Sequence, residues 1–421
     1  MLLSHKTSIK VNSVYSNYIG HMCYAAYKLW NTCNYERIHY KELALPEGVN
    51  YPDWYYQKAY HKNGLWYKQL PAQSSQEVCK LLDKAWKSFY KLQKTGKIEN
   101  PNPPRFKHNP MAITYMQMGI VHDKGSSSVR LSLSRTFKRY MSDTYGTRIE
   151  FIYLENKLFK GMDVIKQIKI YPPVKGKCDI IVVYEVQDVK PFADNNKYLS
   201  IDLGIHNFIT CMNSSTGENF IVGRKYLALC NYYAKEISRV QGQWYLQQSS
   251  RGIKYPKSSK HINRLYKNRN NAILDYLHKI TRYVVSYCRD NDIHTLVIGD
   301  ITNIRKGKDY GNITNQKLHA LPYKKLYIML KYKCELEGIR FVMQKEAYSS
   351  QCSPFASEVS SKYANPSSRV HRGLYKDNGC VFNADAVGAY NILRLYLARQ
   401  NKKVDIIPSE IKPTYVTKVA V

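Results

Sequence analysis

Three short strings in the C-terminal half hold the side chains best suited to chemistry: SIDLGIHNF around Asp202, QKEAYSSQC around Glu346 and NADAVGAYN around Asp385. Each places a carboxylate near the end of a predicted strand or the start of a predicted helix. The chain around them is basic, with 64 lysines and arginines against 32 acidic residues and a formal net charge of +32. Such an excess, spread along a folded chain, draws in a phosphate polymer, and clustered carboxylates approach that polymer through a hard divalent cation. The chemistry implied is metal-dependent hydrolysis of a nucleic-acid backbone. Each acid alone has a plainer reading. Asp202 could cap a turn at its strand end, although an unpaired buried acid is costly and Gly204 would admit a ligand or a backbone. Asp385 could be only a favourable charge in the first turn of a helix capped by Asn383.

The elements that must position these acids alternate from Lys197 onward. YLSIDLG reads as a strand and FITCMNSSTGENFIVG as a hairpin about its SSTGE turn. Residues 225–290 read as a long basic helical stretch with Leu265, Ile273, Leu277, Ile280 and Val284 on one face. HTLVIGD is a buried-type strand, LPYKKLYIMLKYKCELEG a helix and IRFVMQK a strand. ADAVGAYNILRLYLA closes the series as a helix with Ala386, Ala389, Tyr390, Leu393, Tyr396 and Leu397 on one face. Strand and helix alternating after an antiparallel start imply a mixed sheet of the ribonuclease H type.

Upstream, MLLSHKTSIKV alternates as a first strand and a helical block follows. In SSQEVCKLLDKAWKSFYKLQK, Val78, Leu81, Leu82, Ala85, Phe89 and Leu92 recur at helical spacing, with Ser74 or Ser75 as the expected N-cap. Lys80, Lys84, Lys87, Lys91 and Lys94 line the other face, either as a solvated stripe or as a track for phosphates. GKIENPNPPRFKHNP breaks the helices. Beyond it SSVRLSLS, TRIEFIYL, VIKQIKIYP and CDIIVVYEVQ read as strands of a small antiparallel sheet or barrel, which the first strand is expected to rejoin.

A length of 421 residues implies two or three domains, and a hydrophobic fraction of 44% is enough to fill their cores. The 38 tyrosines could stack on unpaired bases or could reflect A/T-rich coding, which raises Lys, Asn and Ile as well. The start is polar by its fourth residue and has no signal-peptide core. No apolar run approaches the length of a membrane span. Ten cysteines without a paired framework suit a reducing compartment, so a cytoplasmic protein is expected.

IDLGIHNFIT, VIGDITNIRKGKDYGNITNQKLHALPYKKLYIMLKYKCELEGI, EAYSSQC and NADAVGAYNILR occur in that order. Over residues 195–400 the chain thereby resembles the TnpB family of transposon-encoded RNA-guided DNA endonucleases, relatives of the type V CRISPR effectors. NPPRFK, ending at Lys107, is similar to the family's short motif before its barrel, while the helical block matches only in texture. The resemblance implies an α/β multidomain chain. Its expected parts are a first barrel strand at 1–12, a helical recognition domain at 13–105 and a wedge-like β-barrel at 106–195. A ribonuclease-H-like RuvC nuclease domain would occupy 196–400 and a C-terminal tail 401–421. The resemblance also implies two magnesium ions held by three acids, a guide RNA (omega RNA), a double-stranded DNA target and no membrane partner.

Asp202 matches the family's first acid and Asp385 its third. The second departs from the common pattern, because the Glu-Asp-Leu string of many members is here Gly299-Asp300-Ile301. Glu346, just before Tyr348-Ser349-Ser350, resembles the relocated glutamate of other members and is the expected second acid, with Asp300 the alternative. In ribonuclease H order Asp300 would be one strand from Asp202 and Glu346 two, a gap that twist and the longer side chain would have to close. The family's zinc ribbon is degenerate: between the second and third acids stand only Cys352, His371 and Cys380, so no zinc is expected in the insertion at 349–381. Arg105, Lys107, Arg269, Arg305, Lys306, Lys308 and Lys317 are the expected nucleic-acid contacts, the last four lying in or after a loop that could equally be an ordinary polar one. The implied function is guided DNA cleavage; the alternative is an RNA-guided DNA-binding repressor with a dead site.

Overall fold

The computed structural model describes residues 1–421 except 97, 303–308, 310, 372, 418 and 420–421. The alternating N-terminus forms β1 (Leu2–Lys10), after which the Asn12 side chain accepts from the Tyr15 N–H at 2.7 Å and starts α1 (Ser13–Ile38). Tyr18, Ile19, Met22, Cys23, Ala26, Leu29, Trp30 and Cys33 step by three and four along α1 and are all buried. Then come α2 (Trp54–Tyr60), α3 (Leu65–Lys68) and α4 (Ala72–Thr95). α4 begins earlier than the sequence suggests. Pro71 stands at its N-cap, and Ser74 and Ser75 are buried within its first turn, where Ser75 Oγ donates to the Tyr67 carbonyl at 2.8 Å. Proline's fixed φ suits a helix start and displaces the expected serine cap.

The next strands are β2 (Ile113–Met116), β3 (Ile120–Val121), β4 (Ser128–Ser132), β5 (Phe151–Glu155), β6 (Val164–Ile170) and β7 (Lys177–Glu185), with α5 (Arg135–Tyr145) between β4 and β5. They form two antiparallel sheets, β1-β7-β6-β2 and β3-β4-β5. β1 pairs along its whole length with β7, from Leu2 opposite Glu185 to Lys10 opposite Lys177, so the first strand does rejoin the later ones. These elements make up one compact unit, Met1–Gln187.

The second unit, Asp188–Val421, is built on one mixed sheet. Its strands are β8 (Tyr198–Asp202), β9 (Ile209–Asn213), β10 (Asn219–Val222), β11 (Thr295–Gly299), β12 (Arg340–Gln344) and the short β15 (Thr414–Tyr415). The order is β12-β11-β8-β9-β10-β15, with β12, β11 and β8 parallel and β8, β9 and β10 antiparallel. Its helices are α6 (Lys225–Ser249), α7 (Lys260–Asp290), α8 (Asn312–Ala320), α9 (Tyr323–Leu336) and α10 (Ala384–Ala398). β13 (Leu374–Asp377) and β14 (Cys380–Asn383) pair as a hairpin before α10.

Side chains on alternate faces of the sheet enter two cores. Leu199, Ile201, Leu296 and Ile298 pack with α7 and α9, whereas Tyr198, Met212 and Val297 pack with α10. α10 is not the one-faced helix its spacing suggests, since every residue from Ala386 to Leu393 is buried. The parallel trio matters most for the site, because it brings three strand ends to one edge, where α/β sheets place their ligands.

Candidate active site

Asp202 is the last residue of β8, opposite Thr210 of β9. Ser200, two residues earlier on the same face, donates through its hydroxyl to the Ala389 carbonyl at 2.7 Å, so this face of β8 lies against α10. Gly388 makes that approach feasible for the acid, because a Cβ there would lie 2.7 Å from Asp202 Oδ2. Asp385 stands in the first turn of α10, whose Asn383 cap accepts from the Asp385 and Ala386 N–H groups. Its Oδ2 accepts from Asn207 Nδ2 at 2.8 Å, and its Oδ1 lies 3.5 Å from the Arg369 guanidinium.

Glu346 follows β12, two strands from Asp202, yet its carboxylate lies over β11. A Cβ built on Gly299 would fall on that carboxylate and would also come within 2.9 Å of Ile392 Cδ1. The glycine in the family's glutamate position is therefore the space into which Glu346 reaches. Asp300 stays outside: its N–H continues the pairing to the Gln344 carbonyl at 2.8 Å, and its Oδ1 accepts from the Thr302 N–H at 3.0 Å. A cavity of about 1080 Å³ is lined by Asp202, Glu346 and Asp385 together with Asn207 and Arg369, and Asp300 is not among its lining residues.

The electrostatics of the cavity are those of negative charge with too little compensation. Burial, then Asp385 and Glu346, push the Asp202 carboxyl well above the usual range against the opposing pull of Arg369. Burial and then Asp300 push Glu346 up to about 7. Glu346 Oε2 is enclosed and has no hydrogen-bond partner. Three carboxylates lining one cavity, one with an unpaired oxygen, offer the oxygen ligands that a hard cation such as magnesium takes, although their oxygens do not all lie within 4.8 Å of one another.

Residues 181–305 match the OrfB_IS605 family, described as a probable transposase, and residues 323–392 match the Cas12f1-like TNB domain. These matches are consistent with the TnpB family. The fold of the chain is similar to that of the Cas12f1 in a solved Cas12f1–sgRNA–target DNA complex, at 12% identity and a TM-score of 0.55, over 90% of this chain and 82% of that one. The mini-RNA-guided endonuclease CRISPR-Cas_phi3 also matches, at 11% identity and a TM-score of 0.47, over 97% of this chain and 94% of that one. No curated protein matches the chain.

The candidate site depends on residues that the sequence reading did not single out. Tyr327 of α9 donates through its hydroxyl to the Gly299 carbonyl at 2.7 Å and accepts from the Ile301 N–H at 3.1 Å, fixing the end of β11. Asn391 Nδ2 donates to the Ser349 and Cys352 carbonyls at 2.8 and 2.9 Å, and Arg394 Nη1 donates to the Ser353 carbonyl at 3.1 Å. These bonds tie the turn after Glu346 to α10. Tyr348 in that turn has φ +62°, a left-handed conformation costly for a residue with a Cβ. Asn207, Tyr348 and Asn391 fall inside the three acid strings, and that position was their sole sequence signal.

In the insertion, Cys352 Sγ donates to the Ser360 carbonyl at 3.0 Å and Tyr375 Oη donates to the Gln351 carbonyl at 3.2 Å. Cys352, His371 and Cys380 do not converge as a trio of ligands among the described residues. Asn378 and Gly379, at φ +48° and +72°, make the tight turn between β13 and β14, and this Asn-Gly pair was the unread sign of a hairpin.

Of the expected nucleic-acid contacts, Arg105 and Lys107 are exposed on a segment whose backbone is fastened to α1. Trp30 Nε1 donates to the Arg105 carbonyl at 3.3 Å, and Asn31 exchanges bonds with the backbone of Lys107 at 2.7 and 2.9 Å. Arg269 and Lys317 line a second cavity, of about 400 Å³, and Arg269 Nε is enclosed without a hydrogen bond. Arg305, Lys306 and Lys308 lie outside the described residues. Among the described residues no helix is long and apolar enough to cross a membrane.

Proposed function

We propose that this chain is a transposon-encoded, RNA-guided DNA endonuclease with a RuvC-type site. The observation that supports it is the convergence of Asp202, Glu346 and Asp385 on one cavity, with Glu346 Oε2 unpaired. In this reading the six-stranded sheet is the ribonuclease-H-like core, and the two sheets of the first unit form the wedge-like barrel around an inserted helical recognition domain. The three acids would hold two magnesium ions, which when bound supply the positive charge that activates water and stabilises the leaving oxygen. Asn207 orients Asp385 by its hydrogen bond, and Arg369 presents a cation to the cavity where a backbone phosphate would enter. Arg105, Lys107, Arg269 and Lys317 would hold nucleic-acid backbone without reading sequence, which is left to pairing between guide RNA and the target strand. The Cas12f1 complex with sgRNA and target DNA supports this assignment of partners, and the free cysteines fit a cytoplasmic setting.

The test is purification with any bound RNA followed by plasmid cleavage in magnesium, wild type against Asp202→Ala. A discrete RNA with wild-type cleavage and an inert variant is the expected result; protein without bound RNA and without cleavage would end this reading. Glycine in the glutamate position motivates a second one, a guided repressor, against which the presence of Asp202, Glu346 and Asp385 together weighs. It would be established by wild-type protein that binds RNA and target DNA but leaves the plasmid intact.

A further inference from the structure

The helical block of the first unit contains a cluster of side chains that plays no part in the proposed cleavage. Cys33 and Glu36 lie one turn apart on α1 and therefore share a face. His61 follows the last turn of α2. The Cys33 sulfur, a Glu36 oxygen and a His61 nitrogen all lie within 4.8 Å of one another. Cys33 is fully buried, and the side chains of Glu36 and His61 are 14% and 12% exposed. His61 Nε2 is enclosed 2.7 Å from Glu36 Oε1 without forming a hydrogen bond to it.

The surroundings hold these groups in place. Gln57 Nε2 donates to Glu36 Oε2 at 3.0 Å and to the Cys33 carbonyl at 2.7 Å, which leaves Glu36 Oε1 facing the imidazole. Gln57 Oε1 is in turn fixed by Arg37 Nε at 2.9 Å, and Arg37 is itself paired with Asp83 at 3.0 Å. The Cys33 thiol is hydrogen-bonded with that of Cys79 on α4, and this contact, then burial, keeps it well above the usual thiol range. Three side chains thus meet at one point, and Cys79 of α4 adjoins them through Cys33.

We propose that Cys33, Glu36 and His61 form a zinc site, with Cys79, the hydrogen-bond partner of Cys33, as a fourth ligand once it shifts toward the other two. The donor set excludes magnesium and calcium, which take oxygen ligands, whereas sulfur, imidazole nitrogen and carboxylate oxygen together are characteristic of zinc. Zinc bond lengths of about 2.0–2.3 Å at tetrahedral angles separate ligand atoms by roughly 3.3–3.8 Å, so atoms that lie within 4.8 Å of one another need to close by no more than about 1.5 Å. One thiolate and one carboxylate would balance the ion's charge, and a Cys79 thiolate would make the site anionic beside Arg37. Gln57 then serves as the partner that orients the carboxylate ligand. The structural return is specific: Gln57 is the only fully buried residue of α2 and Trp54 its apolar contact with the core, so a metal on His61, just after the helix, would add a tie from this short helix to α1.

The test uses full-length protein and does not involve cleavage. Wild type is expected to retain about one zinc per chain after dialysis, and Cys33→Ser and His61→Ala to retain less than about a tenth of that, with Cys352→Ser and Cys380→Ser unchanged. Cobalt(II) added to metal-free wild type should give a thiolate charge-transfer band, which decides the matter even where a variant fails to fold. Wild type without zinc and without that band overturns the proposal, as does full zinc content in a folded Cys33→Ser, His61→Ala double variant. Either failure would leave the nuclease reading untouched.

Discussion

Gly299 and Glu346 are sterically coupled, since the carboxylate can lie over β11 only because position 299 has no side chain. Glu346→Gln is expected to lower single-turnover plasmid cleavage by at least about a hundredfold, since even outer partners of metal ligands cost about 10- to 100-fold. Asp300→Asn should stay within about tenfold of wild type, and guide RNA binding should be unchanged in both. Full cleavage by Glu346→Gln would remove Glu346 from the site. Gly299→Ala is expected to cost about 1–3 kcal/mol by overpacking, and less in a Glu346→Gly background, where the carboxylate is gone; denaturation of the four proteins measures that coupling. The raised affinity of Glu346 for its proton gives a pH signature as well. Its folded value of about 7 lies above the ordinary 4.5, so the folded chain binds this proton more tightly than the unfolded one. Stability of metal-free protein should therefore fall as pH rises from 4.5 to 7, by on the order of 3 kcal/mol. Glu346→Gln should flatten that window in urea unfolding at pH 5 and pH 8 with chelator; an equal slope in both proteins would contradict it.

α10 is the element that assembles the site, because its first turn contains Asp385, its Gly388 admits Asp202 and its Asn391 holds the turn that follows Glu346. Asn391→Ala leaves two buried carbonyls without their donor and is expected to cost about 1–3 kcal/mol. It should lower cleavage while sparing RNA binding, and a variant that cuts at the wild-type rate would mean that the turn holds itself. Much of this element was legible in the sequence. The Asn383 cap and Asp385 fall where NADAVGAYN suggests, and the β9–β10 hairpin turns at its SSTGE string, where Gly217 has φ +70°. What escaped was set by tertiary context. α5 was missed although Phe137 and Met141, one turn apart, are its buried residues, because it is short and lies between strands. α8 was read as loop because its composition is polar. The roles of Gly388 and Asn391 depend on partners far off in sequence, which local periodicity cannot name.

At the scale of the whole molecule, strand order turns scattered acids into a site. Parallel pairing of β8, β11 and β12 sends three strand ends to one edge, with Ile298 in register with Ile201 immediately before Gly299 and Asp202. The alternation of strands and helices made that sheet readable in outline, but the reach of Glu346 across β11 needed the packed structure, since spacing alone put it two strands away. The net charge of +32 is the other property of the entire chain, and it should govern affinity more than chemistry. If the protein neutralises six to ten phosphates of a single-stranded guide, affinity should fall on the order of 10²- to 10⁴-fold between about 50 and 200 mM salt. Arg269→Ala and Lys317→Ala should each lower the slope of log affinity against log salt by about 0.7, as expected for one lost phosphate contact. Neither should alter which target sequence is cut, because a backbone contact holds every sequence alike. A salt-independent affinity would show that these cations only solubilise the protein, while a changed target preference would show that they touch bases. The combination of a shallower slope with unaltered targeting is the one outcome that makes them backbone clamps.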